Sequence, residues 1–371
     1  MNFTLSEDHQ ALRESARVFL DKEVSLAPLL VPGADVAAAG HDRLWDKIVD
    51  MGWPGMVTPE AYGGLGLTYL DLTMVMGELG RTLAPSYLFG TLAGAWAIER
   101  AGSEEQKETL LGQMAEGKLK LALAVADPEG RYDHLASDAV ATSTPDGWRV
   151  SGERGFVVDG LAADKLVVAA SVEGERRFFV VDRAAAGVCA SPVDWRDTTR
   201  QMASVVFEGA PAELLHGANA EIWPWVRDRL YLLLAAESAA VAQFALDDAV
   251  AYAKERIAFG RPIGAFQAIK HQLADIAGQV ECAQAAVQYA AWALSDNDPR
   301  APLACAMAQS YASEAAKDAT YRNLQIFGAI AFSWEMRNHL YFKRARANFA
   351  LLGAPSQQRE ELVQFLEREA A

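Results

Sequence analysis

Cysteine is scarce in this chain. There are three in 371 residues, Cys189, Cys282 and Cys305, far apart and with no CxxC pair. An odd, scattered set excludes a disulfide framework and fits a reducing cytoplasm. The six histidines are equally dispersed, which argues against a metal cluster. Basic residues are outnumbered, 34 Lys and Arg against 49 Asp and Glu, for a formal charge of −15. Nonspecific nucleic-acid binding needs the opposite balance. An anionic small molecule is not excluded, because local basic residues decide that. No stretch of about 20 uncharged apolar residues occurs, and the N-terminus lacks a basic region followed by an apolar one. The expectation is a soluble cytoplasmic protein with neither a membrane nor a nucleic acid as partner. GxxxxGK[ST], strand-linked GxGxxG, GxSxG and HExxH are absent as well.

The rest of the chain is organised by period. Residues 1 to about 118 read as helices. Ser6 caps the first of them, with Leu12, Ala16 and Phe19 on one face, and Ser103 opens a capping box in "GSEEQKETLL". "YGGLGL" follows a Pro-Glu turn and reads as a tight loop between helices. From 119 to 213 the segments shorten and become β-branched, as in "KLALAVAD", "GFVVDG", "DKLVVAAS", "RRFFVVDR" and "MASVVFEG", which predicts six or more strands. From 214 to 371 the helical period returns in four or more long helices. A β-domain between two helical blocks predicts an interdomain cleft, a common place for a cofactor.

One bend interrupts the last block: "RIAFGRPIGAFQAIKH", residues 256–271. Two readings of it stand side by side. Arg256 can be a cation complementing a helix C-terminus, with Phe259 packed and Gly260 to Pro262 making the turn. Alternatively, Arg256 presents a bidentate guanidinium to phosphate oxygens, Phe259 covers a flat ring and Gln267 donates an amide.

Five stretches carry a resemblance. They are "FTLSEDHQALRESARVFL", "WDKIVDMGWPGMVTPEAYGGLGLTYLDLTMVMGELGR", "GSEEQKETLLGQMAEGKLKLALAVAD", "YAKERIAFGRPIGAFQAIKHQLADIAGQVECAQAAVQYAAWAL" and "QIFGAIAFSWEMRNHLYFKRA". In this order they resemble the acyl-CoA dehydrogenase family over nearly the whole chain. The likeness is greatest to the shorter bacterial members that degrade steroids and other bulky acids, some of which work as two unlike subunits. The resemblance implies an α+β fold: an N-terminal helical domain, a middle β-barrel or sandwich and a C-terminal four-helix bundle. It implies FAD as cofactor, an acyl-CoA thioester as substrate, and an electron-transfer flavoprotein or similar acceptor. It also implies an oligomer, either of like chains or a heterotetramer with a related subunit. Arg256 would then reach the pyrophosphate of a flavin held mainly by the neighbouring subunit, with Phe259 and Gln267 on its adenosine side. Gln325, Gly328 and Ala329 match the family's Gln-x-x-Gly-Gly contact, with alanine in place of the second glycine. Asp228 matches a CoA-contacting acid, and Tyr231 lies beside it.

The same resemblance exposes departures. In the family a carboxylate takes the α-proton while hydride passes to flavin N5. The two usual places for that glutamate fall on Leu230 and Leu352 here. Glu237 is the candidate replacement, two turns beyond Leu230 on nearly the same helix face, where an apolar run should raise its pKa. The other reading of Glu237 is a structural carboxylate paired with an arginine across the helices. The flavin-contacting strand has Phe156 and Val158 where a Trp and a Thr or Ser are usual. Ala126 replaces a flavin-binding Thr, and "RYDHLAS" stands in for a phosphate-binding Gly-Ser motif. These substitutions remove hydrogen bonds worth about 0.5–1.5 kcal/mol each. The function implied is FAD-dependent α,β-desaturation of an acyl-CoA. The alternative is a catalytically silent subunit that completes the FAD site of an unlike chain.

Overall fold

The structure, a computed structural model, describes residues 5–34, 40–132, 139–217 and 222–370. The first block is built of α1 (Glu7–Glu23), α2 (His41–Asp50), α3 (Tyr69–Thr82) and α4 (Leu88–Ala101). A last helical stretch follows, α5 (Glu104–Gln106) and α6 (Gly112–Ala115) separated by a π turn. Two starts follow the predicted chemistry. Ser6 accepts from the His9 N–H and Ser103 from the Gln106 N–H, each in a reciprocal capping box. "YGGLGL" is a loop, laced back by Leu65 N–H to Gly55 O at 2.8 Å and Leu67 N–H to Met56 O at 2.8 Å. From Leu88 to Ile98 α4 carries no charge because that stretch is buried on every side. Leu88, Leu92, Trp96 and Ile98 are all in the main core.

The middle region holds β1 (Leu121–Ala124), β2 (Ala139–Thr144), β3 (Gly147–Val158), β4 (Lys165–Val172), β5 (Glu175–Asp182), β6 (Val188–Pro192) and β7 (Met202–Leu214). β4 pairs with β2, β2 with β3, β3 with β7, β7 with β5, and β5 again with β4. That circuit closes, so the region is a barrel, with β1 added along β4 and β6 along β7. Inward residues such as Val150, Val168, Phe179, Val181, Val205 and Phe207 form its own core. Their outward neighbours Val167, Phe178 and Val180 join the core shared with the helices. Strict alternation along β4 and β5 thus feeds two cores at once.

The last block comprises α7 (Ile222–Glu255), a short hairpin of β8 (Ile257–Ala258) and β9 (Arg261–Pro262), α8 (Gln267–Ser295), α9 (Ala301–Phe327), α10 (Asn338–Ala350) and α11 (Pro355–Ala370). Among the described residues α7 is the one helix long and apolar enough to cross a membrane, but most of it is enclosed by protein. Its apolar length is explained by its position, packed on α3, α4, α8, α9 and α10.

Candidate flavin and acyl site

A slot lies where α4, the barrel and α7 meet. α4 supplies Phe89, Gly90 and Ala93, and the first strand and its extension supply Leu123 and Val125. Phe156 and Val158 come from β3, Trp223 and Leu230 from α7, and Leu351 and Leu352 from the loop after α10. The two residues at the usual base positions, 122 positions apart in sequence, therefore meet in one cavity. Both are leucine, and no carboxylate lines this cavity among the described residues. Tyr132 lies against the same walls, its ring parallel to Trp223 at 5.8 Å. The free space left is about 20 Å³, enough for one water molecule. Ala126 is buried beside the slot, and its carbonyl accepts from the Gly155 N–H at 3.0 Å. Of the replaced phosphate motif, residues 133–137 lie outside the described residues.

Glu237 does not face this slot. It is 3% exposed and lies in a closed charge network with Arg200, Arg344 and Asn348. Arg344 also binds Asp197 at 2.5 Å and Thr199 at 2.6 Å. Burial alone would push the Glu237 carboxyl up, but Arg200 and then Arg344 outweigh it and hold the group below its ordinary range. This reverses the raised pKa expected from the apolar sequence around it, because both guanidiniums arrive from distant segments. The geometry is that of the other reading, a structural carboxylate paired with arginines. α3 approaches so closely here that a Cβ on Gly80 would lie 2.7 Å from the Glu237 Cγ and carbonyl oxygen. The network seals one side of the slot as well, since Arg200 stacks over Phe89 at 5.1 Å.

Asp228 and Tyr231 also turn inward. Asp228 is 5% exposed, and burial raises its carboxyl to about 7 despite Arg227 and Arg229 nearby. The Tyr231 hydroxyl donates to Leu352 O at 3.4 Å and to Glu361 at 3.2 Å. As folded, neither offers its polar atoms at the surface for a CoA. Sequence reading missed Asp159, another buried acid. It accepts from the Gly90 N–H at 3.0 Å, and burial raises it to about 7. Its signal was a lone acid after an apolar strand, with φ of 60°.

The second constellation sits at the far end of α7. Leu230 and Arg256 are 26 residues apart, roughly 39 Å along a helix. Arg256 caps α7 through its own N–H to Tyr252 O at 2.8 Å, and its side chain is exposed. Phe259 and Gly260 form the two-residue tip of the β8–β9 hairpin, at φ 51° and 77°. Two positive φ angles are what this kind of tip requires, and Asn-Gly is its preferred sequence. A bulky Phe there is strained, and the ring is 95% exposed. The bland reading, a packed Phe259, is thereby lost. Gln267, at the start of α8, is exposed too. Tyr252 stacks on Phe327 at 4.0 Å, which brings the end of α9 to the same end of the bundle. There Gln325 and Ala329 are exposed, and Gly328 takes φ 74°, ψ −152°, a conformation open essentially to glycine alone. Ile330, Phe332 and Trp334 extend this face as exposed apolar side chains.

A barrel between helical blocks, an apolar slot at their junction and a cationic hairpin on the bundle fit the organisation that the resemblance implies, that of the flavin-dependent dehydrogenases of acyl thioesters. The comparisons with known proteins agree. The acyl-CoA dehydrogenase N-terminal domain matches residues 6–118, and the acyl-CoA dehydrogenase C-terminal domain matches residues 228–366. Acyl-CoA dehydrogenase IpdE2 of Mycolicibacterium smegmatis is 33% identical over 360 residues, covering 96% of this chain and 98% of its own length. The ChsE4–ChsE5 complex from Mycobacterium tuberculosis superposes with a TM-score of 0.87 at 25% identity, covering 99% of both chains. Butyryl-CoA dehydrogenase from Megasphaera elsdenii does so with a TM-score of 0.89 at 27% identity, covering 99% of this chain and 100% of the other. The chain belongs to the acyl-CoA dehydrogenase family, FAD-dependent oxidoreductases acting on CH–CH bonds.

Proposed function

We propose that this acyl-CoA dehydrogenase subunit completes the FAD site of an unlike, related chain and leaves the acyl chemistry to that chain. The carrying observation is the contrast between the two ends of α7. At one end Leu230 and Leu352 meet in about 20 Å³ of free space with no base. At the other, Arg256, Phe259, Gln267, Gln325, Gly328 and Ala329 are gathered at one end of the bundle.

The fit to a dinucleotide differs accordingly. No side chain among the described residues pairs with the Arg256 guanidinium, which suits a diphosphate brought by a neighbour. The strained Phe259 and the opened backbone at Gly328 suit the adenosine end of such a ligand. The chain's own slot fits a flavin ring poorly, since Phe156, Val158 and Ala126 supply no side-chain hydrogen bond. The chemistry supplied at such a site by bound FAD would be that of a hydride acceptor for the acyl β-carbon. This chain's part is to neutralise the diphosphate, cover the adenosine and exclude water at the subunit boundary.

The substrate of the assembled enzyme is then an acyl-CoA, of a bulky type such as a steroid side chain. The assembly is a heterotetramer that passes electrons to an electron-transfer flavoprotein or similar acceptor, in the cytoplasm. The likeness to the ChsE4–ChsE5 complex and to an acyl-CoA dehydrogenase named IpdE2 supports this reading. Co-expression with a family member from the same genome tests it. A yellow complex that turns pale when this chain carries Arg256→Ala is the expected result. A yellow chain purified alone and bleached by an acyl-CoA would count against it.

A further inference from the structure

The slot is closed by something specific. The chain enters it through a turn fixed by Asp127, whose side chain is fully buried. Its carboxylate accepts from the Glu129 N–H at 3.0 Å, the Arg131 N–H at 2.8 Å and the Arg131 Nε at 2.5 Å. Two main-chain bonds, Gly130 N–H to Asp127 O at 2.9 Å and Asp127 N–H to Arg131 O at 3.0 Å, tighten the same turn. The next residue is Tyr132. Its carbonyl accepts from Arg176 at 3.0 Å, so its backbone is held on the far side as well. The side chain is thus delivered to one place by several bonds, none of them made by its own ring.

At that place Tyr132 behaves as a ligand would. Its ring lies parallel to Trp223 at 5.8 Å and packs among Phe89, Val158, Leu230 and Leu352. Leu352 holds a left-handed backbone, φ 65°, and its carbonyl is bound by Tyr231. The slot's apolar walls are therefore satisfied from within the chain.

We propose that Tyr132 is a built-in occupant of the slot and the residue that excludes any acyl group from it. The inference rests on the family assignment and deepens the reading of a silent slot. It is independent of whether an unlike chain carries the flavin.

Removing the ring should uncover the slot. Tyr132→Ala frees on the order of 100 Å³, which with the space already present approaches the roughly 150 Å³ apolar cavity that stays dry and binds benzene. The probe is toluene, with binding to the isolated full-length chain followed by ligand-observed NMR and by thermal shift. Tyr132→Ala is expected to bind toluene at least 10-fold more tightly than the unmodified chain. Tyr132→Phe keeps the ring and should bind no better than the unmodified chain. Tyr132→Val, a smaller opening, serves if the alanine variant does not fold. Equal binding by the unmodified chain would overturn the proposal. So would the absence of binding by an opened variant whose circular dichroism is native. Flavin content does not enter this readout, so failure of the functional reading leaves a different signature.

Discussion

Replacing Glu237 by Gln separates a base from an anchor. The charge cluster is balanced as folded, with Glu237 and Asp197 against Arg200 and Arg344. Gln keeps the shape and removes one negative charge, leaving two guanidiniums on one carboxylate in a site shut off from water. Breaking a buried pair in this way costs about 3–5 kcal/mol. Against a total stability of about 5–15 kcal/mol, that is a large fraction. Urea unfolding should show it as a midpoint lowered on the order of 1 M. The pH dependence must follow. Because the folded carboxyl titrates below its ordinary value of 4.5, its contribution is fully present above that value. It is lost as pH falls through the lower folded value, and Glu237→Gln should flatten the acid limb. Adding Arg200→Met restores neutrality and should recover part of the loss. In the assembled enzyme, turnover per folded complex should stay within a few-fold. A variant of undiminished stability whose dehydrogenation collapsed would refute this reasoning and restore Glu237 as the base.

Arg256→Ala should leave the chain's own unfolding unchanged, since the side chain is exposed, and should weaken flavin retention by the complex about 10- to 100-fold, the equivalent of lost charge-assisted hydrogen bonds; equilibrium dialysis measures it. Asp159 titrates at about 7 when folded against 3.8 in an unfolded reference, so the native state binds the extra proton between those values and stability falls as pH rises through them. Asp159→Asn should therefore gain stability over the unmodified chain at pH 8 and little at pH 4, by chemical denaturation at both. Leu352→Glu should place an acid in the apolar slot beside Tyr132, cost several kcal/mol and confer no flavin reduction by acyl-CoA on the isolated chain.

Much of this was legible in the sequence because it is periodic or capped. Ser6 and Ser103 announced their helices through the residues three positions on, and the short β-branched runs between turn signals, "DKLVVAAS" and "RRFFVVDR" among them, announced the strands of a β-domain. The bend at 256 was legible as a break in the helical period, but its turn was expected at Gly260 to Pro262, whereas the tip is Phe259 and Gly260, with Arg261 and Pro262 already in a strand. Glu237 was not readable in the same way. Its neighbours in sequence are apolar, and the groups that decide its charge are Arg200 and Arg344, 37 and 107 positions away. Tyr132 was invisible for a similar reason. A tyrosine after a turn carries no sign of the slot it will fill until the turn, Arg176 and the walls are placed together.

The central claim is that only one kind of subunit in the assembly presents a working slot. The most direct measurement is the ratio of bound flavin to chains in the intact complex with its unlike partner, from absorbance and quantitative amino-acid analysis. The account predicts one flavin for each pair of unlike chains, all of it bleached by the acyl-CoA substrate. Two flavins per pair, both reduced by substrate, would contradict it.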